Sequence, residues 1–269
     1  MNGMTESKEP TTRTAEGGRR VLIVSAHPDP RSLTASLTGF AADELRAAGH
    51  EVEISDLYAM KWRAVTDADD YPEHPAGARL DVAAASQHAY ENGSLTADVR
   101  AEQERLLRAD AVILQFPLWW FSVPAILKGW LDRVLSGGFA YGDGVPQYRD
   151  GLLSGRRLLL SVTHGATASA LGARGAHGPL TDLLFPLQHG VFFFTGMSVL
   201  ETFAVADTAN LEEEGYRAAT TAYRERLAGL FTEEPLPYRR LSDEEYTRTM
   251  ELKSGRERPG TTGFALHLA

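Results

Sequence analysis

Residues Gln115–Gly144 read QFPLWWFSVPAILKGWLDRVLSGGFAYGDG, and the order of residue types in this stretch decides how the chain folds. Just before it, Ala111–Gln115 (AVILQ) is a short run of apolar residues, the composition of a strand buried on both faces. Trp119, Trp120 and Phe121 follow, so large flat side chains stand at the end of a buried strand. A helical pattern then runs over Ile126–Leu135 beside Pro124, where proline is tolerated in a first turn. Strand, aromatic loop and helix form the repeating unit of an α/β protein.

The unit recurs in both directions. Toward the amino end, Arg20–Ala26 (RVLIVSA) predicts a first strand, ended by His27, Pro28, Asp29 and Pro30. Leu33, Leu37, Phe40, Ala41, Leu45 and Ala48 recur at helical spacing, with Ser32 to cap the start and Gly49 to stop the end. Glu51–Asp56 (EVEISD) alternates as a second strand, and a charged helix from about Thr96 to Arg108 leads into the third. Toward the carboxyl end come a fourth strand over Arg157–Val162, a helix around Leu180–His189 and a fifth strand over Ser198–Ala204. Asn210 and Glu213 have capping-box spacing before a last helix whose apolar stripe is Tyr216, Ala219, Tyr223, Leu227 and Leu230. This divides the chain into a disordered tail (1–19), one domain (20–231) and an extended arm (232–269) with Pro235, Pro237 and Pro259 among charges. Leu57–Leu95 is long for a connection, and such insertions often carry function.

A chain of 269 residues suits one large core, and 43% hydrophobic with 23% charged residues is ordinary globular usage. The net charge of -9 repels phosphate backbones and anionic membranes, so nucleic acid is not an expected partner. Without cysteine there is no disulfide, Fe–S cluster or thiolate zinc site, and no metal is expected. No apolar run reaches about 18 residues and Met1–Arg20 is polar, so a cytoplasmic protein without an integral membrane segment is expected.

In an open parallel sheet, ligands bind beyond the carboxyl ends of the strands. Three loops occupy that edge: His27–Thr34, Phe116–Val123 and Thr163–His177. Ser32 and Thr34 open a helix whose free N–H groups favour an anion, while the aromatic loop suits a planar conjugated ring.

The string carried by Gln115, Phe116, Pro117, Leu118, Trp120, Phe121, Val123, Pro124, Ala125, Ile126, Leu127, Lys128, Gly129, Trp130, Arg133 and Val134 resembles the NAD(P)H:quinone reductase (DT-diaphorase-like) family of flavodoxin-like flavoproteins. VLIVSAHPDPRSL (Val21–Leu33) and RGAHGPL (Arg174–Leu180) are similar to two further loops of that family, and PLPY (Pro235–Tyr238) with GFALHLA (Gly263–Ala269) to its longer, FAD-using members. The resemblance implies a doubly wound, five-stranded parallel sheet of order 2-1-3-4-5 with a carboxyl-terminal extension. It implies a homodimeric NAD(P)H dehydrogenase (quinone) that passes hydride from NAD(P)H through FAD, rather than FMN, to a quinone-like acceptor by a ping-pong mechanism.

Carried over by position, the resemblance implies that His27, Ser32, Leu33, Thr34 and Ser36 hold the diphosphate and adenine side. Pro117, Leu118, Trp119, Trp120 and Phe121 lie along the isoalloxazine, and Thr163, His164, Gly165 and Ala166 meet its polar edge. His177 matches the histidine that balances charge and relays a proton; Trp120, Phe121, Tyr141, Asp143, Leu171 and His177 fall on the substrate side. Two positions depart from the family: Leu171 replaces a tyrosine whose hydroxyl supports the relay, and Asp143 replaces an aromatic residue.

Other readings stay open on sequence alone. An FMN-dependent nitro- or azo-reductase shares the fold, and so does a noncatalytic regulatory subunit of a membrane transport system. AHPDP (Ala26–Pro30) also resembles the AHPDD motif of zinc-dependent deacetylases, but Pro30 replaces the second acid and no His-x-x-His pair follows.

Overall fold

In the computed structural model, which describes residues 18–269, the run RVLIVS forms β1 (Arg20–Ser25), a strand paired on both sides. The tail expected over 1–19 lies, apart from Gly18 and Arg19, outside the described residues. After β1 come α1 (Leu33–Ala47), β2 (Glu51–Asp56), α2 (Val82–Glu91), α3 (Ala97–Arg108), β3 (Ala111–Pro117), α4 (Ala125–Val134) and β4 (Arg157–Thr163). The chain continues through α5 (Leu180–Phe185), β5 (Ser198–Val199), β6 (Phe203–Val205) and α6 (Glu213–Ala228). All strand pairs are parallel, in the order β2-β1-β3-β4-β5 with β6 also beside β4, as expected.

Strand side chains alternate between faces, and here each face has its own core. Val21, Ile23, Ala111, Ile113 and Leu159 pack with Leu37, Ala41 and Leu45 of α1 and Tyr223 and Leu227 of α6. Leu22, Val24, Val112, Leu114, Leu158 and Leu160 pack with Val99 and Leu106 of α3 and Leu127, Trp130 and Val134 of α4. This two-sided burial is why β1, β3 and β4 are mostly apolar, their interior polar residues Gln115 and Ser161 being fully buried. It also sends all three strands out of the sheet at one edge, where the three loops begin.

Several elements differ from the sequence expectation. The fifth strand is split: β5 pairs with the start of β4 and β6 with its end; Leu200 N–H still donates to Leu158 O at 2.8 Å, while Glu201 and Thr202 leave the ladder. The capping box of Asn210 and Glu213 does not form, because α6 starts at Glu213 with Glu212 as its N-cap, which puts Glu213 at the first helical position and not the third; Asn210 instead donates from Nδ2 to Asp207 Oδ1 at 2.8 Å. The helix after α5 widens into a π-helix over Pro186–Phe193, at a proline that lacks the N–H of a regular turn.

The insertion Leu57–Leu95 contains α2 and is tied to α4 by buried charge. Arg133 has a side chain only 1% exposed; its guanidinium donates to Asp70 Oδ1 at 2.9 Å and pairs with Asp98 at 2.8 Å, and it lies over the Trp62 ring at 4.6 Å. Arg63 adds a second ion pair to Asp70. Gly129 is where backbones meet: a Cβ there would lie 2.0 Å from Ala64 O. Residues 232–269 return along the sheet edge, with Leu236 N–H donating to Val199 O at 2.7 Å and Tyr238 bridging antiparallel to Leu268. They end in an aromatic stack in which Phe264 lies on Phe185 at 4.2 Å and Phe185 on His189 at 4.7 Å, with His267 5.0 Å from His189.

Two outcomes follow from these contacts. Replacing Arg133 with Met leaves Asp70 buried with a weaker partner set, and urea denaturation should show a loss of about 3 kcal/mol; a loss under about 1 kcal/mol would show the pair to be dispensable. Burial, helped by His267, lowers the His189 pKa from 6.5 to about 4. Protons therefore bind the unfolded chain better between those values, so this stabilisation is complete above pH 6.5 and is lost as pH falls toward about 4. The melting temperature of His189→Phe should fall less steeply over that window than that of the parent chain, and parallel curves would contradict it.

Candidate active site at the strand ends

The loop after β1 folds on itself before α1 begins. Asp29 N–H donates to His27 Nδ1 at 3.0 Å, and the Asp29 carboxylate accepts from the Arg31 backbone N–H and from Nε and Nη2 of its guanidinium at 2.9–3.1 Å. The Arg31 guanidinium holds the Asp29 carboxyl below its usual range. Ser32 Oγ caps α1 by accepting from Ala35 N–H at 3.1 Å, and Ser32 O accepts from both the N–H and the hydroxyl of Ser36. The N–H groups of Leu33 and Thr34 have no acceptor among the described residues. Two free donors at a helix N-terminus make a place for an anion.

After β3 the chain turns sharply. Trp119 and Ser122 exchange both backbone hydrogen bonds at 3.0 Å, and the residues between them, Trp120 and Phe121, have φ of 50° and 61°. Two successive left-handed residues make a type I′ turn, normally built from Asn and Gly. For bulky side chains this conformation costs about 1–2 kcal/mol each. The result is that Trp120 stands 94% exposed at the strand ends. Its neighbours reach sideways: the Trp119 ring lies 6.1 Å from His27, and the Phe121 ring 5.4 Å from His177.

The third loop leaves β4 at Thr163, whose Oγ1 is 2.8 Å from Thr34 Oγ1 and whose carbonyl accepts from Leu118 N–H at 2.8 Å. His164 is buried, and its Nδ1 lies 2.9 Å from Ala166 O. A carbonyl can only accept, so Nδ1 carries the proton and Nε2 is left as an acceptor. Burial lowers the His164 pKa against the opposing pull of that bond. The N–H groups of Gly165, Ala166 and Thr167 are without acceptors among the described residues. The three loops thus form a shelf: an anion cradle at one end, an exposed aromatic turn in the middle and a row of free donors at the other.

Residues 19–227 match the model of the flavodoxin-like fold family. The chain is 41% identical over 256 residues to the ribosyldihydronicotinamide dehydrogenase-like protein traD of Penicillium crustosum, covering 92% of this chain and 95% of that one. It is 37% identical over 219 residues to NAD(P)H dehydrogenase (quinone) 1 of Rattus norvegicus, covering 81% and 80%. A crystal structure assigned as a quinone reductase of Klebsiella pneumoniae superposes with a TM-score of 0.90 at 44% identity, over 94% of this chain and all of that one. The chain belongs to the flavodoxin-like quinone reductases.

For a quinone reductase, the structure sorts the expected site residues. His27, Ser32, Leu33, Thr34, Trp119, Trp120, Phe121, Gly165, Ala166 and His177 gather on the shelf. Pro117 is the last, buried residue of β3 and Leu118 follows it; Thr163 and His164 are buried beneath the loops, and the Ser36 hydroxyl is spent on its own helix. Leu171 is buried, its carbonyl accepting from Leu180 N–H at 2.9 Å, and it supports the loop that presents the exposed His177. Tyr141 and Asp143 do not join them: Tyr141 lines a separate groove of about 460 Å³ with Lys128, Leu131 and Val191, and Asp143 is exposed between Gly142 and Gly144. Among the described residues no group of three or more His, Asp or Glu side chains could hold a metal ion. The left-handed pair and the Thr34–Thr163 bond are absent from the sequence reading, since bulky residues give no turn signal and hydroxyls 129 positions apart give no local one.

Replacing Trp120 with Gly removes a left-handed side chain that nothing covers. The flavin-free protein should therefore be as stable as the parent in urea denaturation, or more stable by up to about 1 kcal/mol, while cofactor affinity falls. Clear destabilisation by this substitution would show that the turn is not strained.

Proposed function

We propose that this chain is an NAD(P)H-dependent oxidoreductase that moves two electrons, as hydride, through bound FAD to a quinone-like acceptor, donor and acceptor using one place in turn. The shelf carries the reading: free backbone donors at both ends of an exposed aromatic turn, with His177 beside it. When bound, the flavin supplies an acceptor and donor of hydride. Ser32, Leu33 and Thr34 would hold its diphosphate, and the backbone of Pro117–Phe121 would run along its ring. The Gly165 and Ala166 N–H groups would meet the polar edge, where donors stabilise negative charge. Thr163 and His164 fix that loop from below.

Trp120 and Phe121 would flank the acceptor and exclude water from it. His177 can give or take a proton at its imidazole, and with Leu171 in place of a hydroxyl it does so without a relay partner at that position. The cradle at Leu33 and Thr34 suits a flavin phosphate, and FAD rather than FMN is supported by the likeness of the arm to FAD-using members. The domain would span residues 20–231, with 232–269 as an arm upon it.

A two-fold homodimer is supported by the groove beside Tyr141, which would lend Tyr141 and Asp143 to the partner's shelf. No helix among the described residues is long and apolar enough to cross a membrane. A cytoplasmic setting would supply the nicotinamide donor to a chain that has no cysteine to oxidise.

The test is His177→Ala in steady-state turnover with NAD(P)H and a benzoquinone. The parent enzyme should give the parallel double-reciprocal lines of a ping-pong mechanism. The variant should keep its flavin and lose about 100-fold in kcat. A kcat within about twofold of the parent would make His177 structural.

A further inference from the structure

Away from the shelf, the break between β5 and β6 leaves a hollow of about 520 Å³ between α5, the strand edge and the returning arm. Its size falls in the range of small-molecule sites, roughly 300–1,000 Å³. The walls are mostly apolar, with Leu180 and Phe185 from the body and Leu236, Tyr238 and Phe264 from the arm. Phe264 is the end ring of the Phe264–Phe185–His189 stack; one face is covered by Phe185, and the side chain is still 44% exposed. A further flat ring can continue that stack.

Two polar features give the hollow a chemical preference. Gln188 lines it while only 3% exposed; its Nε2 donates to Thr202 Oγ1 at 3.1 Å, and its Oε1 accepts no hydrogen bond among the described residues. That leaves one acceptor of a largely buried side chain open to a ligand donor. Asp182 and Glu201 stand exposed in the lining, and neither carboxylate is paired with a cation among the described residues. Arg226 reaches Glu201 only at its backbone carbonyl, its guanidinium being paired with Glu233.

We propose that this hollow is a second small-molecule site, distinct from the flavin shelf, that takes a flat aromatic cation. The ring stacks on Phe264, a hydrogen-bond donor meets Gln188 Oε1, and the positive charge lies between Asp182 and Glu201. Its wall begins one hydrogen bond from the loop that carries His177, through Leu180 N–H to Leu171 O.

Calorimetric titration of the flavin-loaded enzyme tests it, with thioflavin T as the flat cation and anilinonaphthalene sulfonate as the flat anion. One equivalent of the cation should bind, saturating benzoquinone should not displace it, and the anion should bind at least about tenfold more weakly. The exposed double variant Asp182→Asn/Glu201→Gln should weaken the cation about tenfold, as should Phe264→Ala. Trp120→Ala should leave the affinity unchanged. Absence of binding, displacement by quinone, loss in Trp120→Ala, or an unchanged affinity in the double variant would each overturn the assignment.

Discussion

Thr163 is the residue on which the three loops converge. Its hydroxyl meets that of Thr34 at the start of α1, its carbonyl holds Leu118 at the end of β3, and its own chain runs on into the donor row of the third loop. Register makes this possible: Pro117 lies opposite Thr163, and Thr163 opposite Val205, so adjacent strands end level with one another. Both hydroxyls are buried, where a hydrogen bond left unmade costs about 1–3 kcal/mol. The anion cradle and the donor row are thereby fixed relative to each other without a side chain that must reach across the surface.

That rigidity lets the middle loop hold an unfavourable conformation. Trp120 and Phe121 sit in the left-handed region because Trp119 and Ser122 are locked to each other and Leu118 is locked to β4. The strain exposes an aromatic side chain to water, an arrangement that fold stability alone opposes and that a flat ligand rewards. Buried polar links elsewhere act on the scaffold rather than the shelf. Glu102 accepts from Trp130 Nε1 at 2.8 Å and from Ser55 at 3.1 Å, joining α3, α4 and β2. Arg133 joins α4 to the insertion in the same way.

Much of this was legible in the sequence, for reasons that differ from element to element. β1, β3 and β4 announced themselves because burial on both faces selects runs of apolar residues at their centres, and α1 because Ser32 and Gly49 bound its apolar stripe. α2 did not, since it buries only Ser86 and Ala89 and gives no clear apolar stripe. The fifth strand read as one over Ser198–Ala204 because apolar residues flank Glu201 and Thr202 on both sides; the break at those two residues lies beside the arm, whose Leu236 pairs with Val199. Asn210 had the spacing of a cap, but the helix begins two residues later than that spacing requires, and Asn210 bonds back to Asp207. The loops were located by topology, whereas their internal geometry rests on long-range contacts such as His27 to Trp119 and Phe121 to His177, which no local pattern encodes.

Everything assigned to the shelf depends on its holding a flavin that a nicotinamide can reduce. Anaerobic titration of the purified, flavin-supplemented chain with NAD(P)H, followed by visible absorbance and then by addition of a quinone, addresses this directly. The oxidised flavin band should bleach with equimolar NAD(P)H and return when quinone is added. A folded chain that takes up neither FAD nor FMN, or a bound flavin that NAD(P)H leaves oxidised, would contradict it.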